Sequence, residues 1–286
     1  MVQHLLRPLV VAFAVLAAPL VVPAALPDAH ATEPEAAPQT AAEVRYEHAL
    51  RLMRRGSYTR ALEELNRVRN FHRDDPVSIL AELAIADLYF QRGDFEQARL
   101  AYEDFARLHP RHDQLDYVVY RIGLSIFRRA PRFAGRDQTA TEHAINTWTG
   151  FDQRFPDSEH RAEVEELLEE ARERVAAREI HVARFYARRD AWPSVARRTA
   201  HLLTRHPDSA HVPEALKLQG EAFHATGQID AAKAARARLE AAHPSSRWLA
   251  RLDGVLDRPA GEPPEDEVFF RPYRVRPMMP AGPGGP

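Results

Sequence analysis

The chain has 286 residues, 45% hydrophobic and 28% charged, with a formal net charge of −2 and no cysteine. That composition is globular, and its charge balance gives no footprint for a nucleic-acid partner. Without cysteine there is no disulfide, no thiolate nucleophile, no thiolate metal site and no lipid attached through sulfur.

The first 31 residues read as a signal peptide. Arg7 precedes an apolar run from Leu9 to Leu26, and Ala29-His30-Ala31 has the small–any–small pattern of a cleavage site. Pro19, Pro23 and Pro27 oppose a stable spanning helix there. Residues 32–43, rich in Ala, Pro and Glu, read as a linker. Residues 257–286 hold eight prolines and four glycines and read as a disordered tail. Between them, residues 44–256 are rich in Ala, Leu, Glu and Arg, all good helix formers.

A pattern recurs in that span. Gly56, Tyr58 and Ala61 repeat as Gly93, Phe95 and Ala98, and again as Gly227, Ile229 and Ala232. Asp190 stands in the glycine's place before Trp192. A tight turn between antiparallel helices needs positive φ, which glycine adopts cheaply. The bulky residue packs back on the preceding helix, and the alanine lets two helices cross closely. Proline closes the second to fifth units, at Pro110, Pro156, Pro207 and Pro244. The spacing of 37 residues (93 minus 56) lies near the tetratricopeptide period of about 34. The expected fold is all-α, a superhelix of five helix pairs. Its third unit is stretched by an insert at Ala130–Arg136, its fourth has a long first helix, and a closing helix forms around Trp248 and Leu252.

No motif supports catalysis. There is no phosphate loop, no nucleophile elbow and no His-Glu-x-x-His run, so neither a cofactor nor a metal is expected. The acidic stretch Glu159–Glu173 is interleaved with arginines and reads as a solvated helix face. Binding surfaces are the remaining candidates. First helices line the inner face of such a superhelix, which places Tyr46, Leu50, Met53, Leu83, Phe90, Tyr117, Tyr120, Leu124 and Phe127 there, suited to an extended, partly apolar peptide. Arg128, Arg129, Arg132 and Arg136 crowd the insert, where a solvated loop and a site for an acidic partner are both open readings.

Several runs carry a family resemblance. Arg107-Leu108-His109-Pro110, the segment Leu115 to Leu124, Arg136-Asp137-Gln138, Arg154-Phe155-Pro156-Asp157-Ser158-Glu159 and Val182-Ala183-Arg184-Phe185-Tyr186 before Ala191-Trp192 resemble the BamD family. The resemblance covers about Tyr46 to Trp248. It implies five tetratricopeptide repeats and a non-catalytic scaffold in the machine that folds and inserts outer-membrane β-barrels. It implies unfolded barrel clients at the N-terminal repeats and a BamA-like barrel subunit at the C-terminal ones. Arg198 is then the expected docking residue, and Arg132 and Arg136 of the insert are expected beside it from their own charge. The family's lipidated cysteine is missing, so the resemblance places this chain in the periplasm at the inner face of the outer membrane, with membrane association only indirect. The competing expectation is an envelope adaptor of another pathway, such as peptidoglycan or division coordination.

Overall fold

Left-handed turns at Gly56, Gly93, Asp190 and Gly227 separate the paired helices of every unit but the third, as the repeat pattern requires. The computed structural model describes residues 40–261. Among them are twelve helices: α1 (Ala41–Arg54), α2 (Tyr58–Phe71), α3 (Val77–Arg92), α4 (Phe95–Leu108), α5 (Leu115–Arg129), α6 (Thr139–Trp148), α7 (Phe151–Arg154), α8 (Arg161–Ala187), α9 (Trp192–Arg205), α10 (Val212–Ala225), α11 (Ile229–Ala242) and α12 (Arg247–Leu256). No strand occurs among the described residues.

Gly93 follows α3 at φ +85, and its amide closes the last turn on the Phe90 carbonyl. Asp190, at φ +53, is the one non-glycine with positive φ among the described residues, in the equivalent turn of the fourth unit. Ala61, Ala98 and Ala232 are each fully buried where paired helices meet. Phe95 folds back on Phe90 with ring centroids 5.1 Å apart. Thr199, which occupies a position usually apolar, is buried, and its hydroxyl donates to the Val195 carbonyl within its own helix.

The helices pack in chain order, α1 against α2 through α10 against α11, with α12 lying on α10 and α11. The third unit departs from a simple pair. After the insert, its second helix breaks at Gly150, φ +74, into α6 and the single turn α7, which buries Phe151. The 27-residue α8 then spans two units, touching α6 with one part and α9 and α10 with others. The core follows as three apolar clusters: one over α1–α3, one centred on α4–α6 and the start of α8, and one from the later part of α8 to α12. Leu252 of α12 fills the space left by Gly220 on α10 and shields that last cluster.

Two expected boundaries move. The linker does not reach residue 43: Thr40 caps α1, accepting from the Glu43 amide at 3.1 Å while the Glu43 carboxylate accepts the Thr40 amide, and Ala42 is buried. This reciprocal cap extends the helical array to Thr40. At the other end the chain turns back after α12, and the Gly261 amide donates to the His224 carbonyl at the end of α10. Residues 257–261 are therefore part of the array. The expected signal peptide, the rest of the expected linker and residues 262–286 lie outside the described residues.

Candidate binding groove on the inner face

The first helices of units one to three, with the turn before α8, enclose a groove of about 670 Å³. Tyr46 of α1, Leu83 and Asp87 of α3 and Tyr117 of α5 form its walls, and Asp157, Glu159 and His160 close one end. Its lining carries five carboxylates (Asp87, Asp113, Asp116, Asp157 and Glu159) and neither lysine nor arginine. The groove is thus acidic and aromatic, not chiefly apolar as the aromatic spacing alone suggests.

A polar network fixes its floor. Asp87 accepts hydrogen bonds from the hydroxyls of Tyr102 at 2.5 Å and Tyr117 at 2.7 Å. Arg121 Nε donates to the Tyr102 oxygen at 3.1 Å, and its guanidinium lies 3.6 Å from the Phe90 ring centre. Burial, and then the Asp87 charge, push the Tyr102 and Tyr117 hydroxyls well above the ordinary tyrosine range, so both remain donors. Tyr46 is raised by the same two causes. Asp116 accepts from the Ser158 hydroxyl at 2.5 Å, which ties α5 to the turn before α8.

The structure divides the expected inner-face residues. Tyr46, Leu83 and Tyr117 line the groove, though Leu83 itself is buried. Leu50 and Phe90 are half-buried and lie outside the lining, Phe90 beneath Arg121. Tyr120 and Phe127 lie outside the groove lining and are buried, as are Met53 and Leu124. Tyr120 stacks on His160 at 5.0 Å and donates to Glu163 at 2.7 Å, and burial with that bond pushes its hydroxyl up to about 12. Phe127 packs edge-on against Trp148 at 5.8 Å. Asp87 was missed in the sequence, although a lone carboxylate within the apolar run Leu83–Tyr89 is a legible signal.

The expected docking arginines separate as well. Arg198 of α9 donates to Glu179 of α8 at 3.2 Å, with Arg178 and His201 also within 4 Å of that carboxylate. Glu179 is only 4% exposed and the Arg198 side chain 36%, so Arg198 holds a buried charge and keeps one edge in solvent. Arg132 and Arg136 are exposed on the insert.

Residues 38–239 match the YfiO family, described as outer membrane lipoprotein. An outer membrane protein assembly factor BamD of Xylella fastidiosa is 29% identical over 213 residues, covering 71% of this chain and 73% of its own length. BamD of Neisseria meningitidis is 28% identical over 188 residues, covering 63% and 70%. BamD of Vibrio cholerae is 25% identical over 209 residues, covering 70% and 87%. With its all-helical repeat array and a match spanning most of the described residues, the chain belongs to the YfiO family, that of the outer membrane protein assembly factor BamD.

Proposed function

We propose that this protein is a BamD-like, non-catalytic scaffold for outer-membrane β-barrel assembly, and that its inner-face groove receives extended client segments. The observation that carries the reading is the groove itself, in which tyrosines stand among five carboxylates with no lysine or arginine. Such a lining favours extended segments with aromatic and basic side chains, through stacking and charge-assisted hydrogen bonds. A free C-terminal carboxylate finds no cation in that lining, so the preferred client element is internal to its chain. The C-terminal half, with the exposed edge of Arg198, serves a BamA-like barrel subunit in this reading. The protein works in the periplasm at the inner face of the outer membrane.

Calorimetry with aromatic-basic strand peptides tests the reading. An amidated peptide should bind more tightly than the same peptide with a free carboxylate. Asp113→Lys together with Tyr117→Ala should weaken binding by about tenfold or more, the equivalent of about 1.4 kcal/mol. Equal binding of acidic and basic peptides would overturn the assignment of this groove.

A further inference from the structure

The four arginines around the insert do not act as a cluster, and the fold sorts them. Arg129 turns to α4 and pairs with Glu96. Arg136 lies exposed outside the cleft that forms here. Arg128 and Arg132 remain together and are joined by Arg174 of α8, 42 positions beyond Arg132 (174 minus 132). These three arginines line a cleft of about 500 Å³ with Phe127, Ala130, Leu167 and a single carboxylate, Glu170. Three cations against one anion leave the lining at +2.

The cations stand on a prepared frame. The Arg174 guanidinium lies 4.0 Å from the centre of the Phe127 ring and donates to Glu170 at 2.7 Å, with 13% of its side chain exposed. The insert that carries Arg132 is folded on Gln138, which is buried. Its Nε2 donates to the carbonyls of Pro131 at 3.0 Å and Phe133 at 3.2 Å, and its oxygen accepts the Thr141 hydroxyl at 2.6 Å. Phe133 meets His181 of α8 edge-on at 5.4 Å, which fastens the insert to that helix.

We infer that this cleft binds an acidic segment of a partner protein, taking a carboxylate side chain between the guanidiniums and an apolar neighbour against Leu167 and Ala130. Guanidinium forks match carboxylates in pairs of parallel hydrogen bonds. The apolar wall gives a bare phosphate nothing to bury, and Glu170 opposes a dianion more strongly than a single carboxylate. The cleft lies at the C-terminal end of α5 and the acidic groove at its N-terminal end, with Tyr117 and Phe127 about 15 Å apart along the helix. A partner in the cleft can therefore be held together with a client in the groove.

Fluorescence anisotropy on the full chain tests the proposal. The probe is a labelled, N-acetylated, C-amidated peptide of alternating glutamate and leucine, at about 0.15 M salt. Arg128→Glu with Arg132→Glu should weaken binding by about tenfold or more. Arg136→Glu, outside the cleft, should leave it within about twofold, or about 0.4 kcal/mol. Both variants change exposed side chains, so their thermal melts should match the wild type. A large excess of inorganic phosphate should not displace the peptide. The proposal falls if the wild-type chain does not bind the peptide, if Arg136→Glu weakens it as much as the double variant, if phosphate displaces it, or if a lysine–leucine peptide binds equally well.

Discussion

The indole nitrogen of Trp148 donates to the backbone carbonyl of Tyr120 at 3.2 Å, directly over Gly123. A Cβ on Gly123 would lie 2.2 Å from that nitrogen. Trp148 is fully buried and wedged against Phe127, so its ring cannot swing aside. Gly123→Ala should therefore lower stability by about 1–3 kcal/mol, the usual cost of overpacking a core. A thermal melt that matches the wild type would mean that α5 and α6 lie further apart than described.

Asp87 is the shared acceptor for two tyrosine hydroxyls, and Tyr102 is fully buried. Asp87→Ala removes the acceptor and leaves both donors without it. An unsatisfied buried donor costs about 1–3 kcal/mol, so chemical denaturation should show a loss of that size. Tyr117→Phe keeps Asp87 on its Tyr102 bond and should cost less. The order of the two variants checks the network: a larger loss from Tyr117→Phe would contradict it.

Arg198→Glu places a second carboxylate against the buried Glu179. Breaking a buried ion pair costs about 3–5 kcal/mol, although Arg178 compensates part of the charge here. The melting temperature should fall clearly, and Arg198→Glu combined with Glu179→Gln should recover part of it. Partner binding by Arg198 variants is therefore meaningful only at temperatures where the melts show them folded. No change in stability on Arg198→Glu would place this arginine wholly at the service of a partner.

His206, at the end of α9, has its pKa lowered, first by burial and then by His201, while Glu179 and Glu173 pull the other way and Arg172 adds to the lowering. Its neutral form is the one the fold prefers. The unfolded chain protonates His206 near its ordinary value of about 6.5. Stability is then complete above that pH and is lost as pH falls from there toward the lowered folded value. His206→Gln should show a smaller drop in melting temperature between about pH 7.5 and 5.5. An NMR titration of the His206 ring should give a midpoint below about 6.5, and a midpoint at or above it would refute the sign.

The repeat architecture was legible in the sequence because its requirements are local. A left-handed turn needs Gly93 or a tolerant residue such as Asp190, and a close helix crossing needs Ala61, Ala98 or Ala232, at offsets that no other part of the chain alters. Boundaries were less legible, because the Thr40–Glu43 cap is a reciprocal side-chain bond within a stretch that reads as linker. Surface identity was only partly legible along the first helices: Tyr46, Leu83 and Tyr117 line the groove as expected, while Tyr120 and Phe127 are buried outside it. Tyr117 and Tyr120 share one side of α5, yet only Tyr117 lines the groove, because Tyr120 stacks flat on His160 and its hydroxyl turns to Glu163 of α8. Likewise Arg174, distant in sequence, completes the cationic cleft, while Arg129, adjacent to Arg128, leaves it for Glu96. Periodicity places a residue on a helix face, and only the neighbouring helix decides whether that face meets protein or solvent.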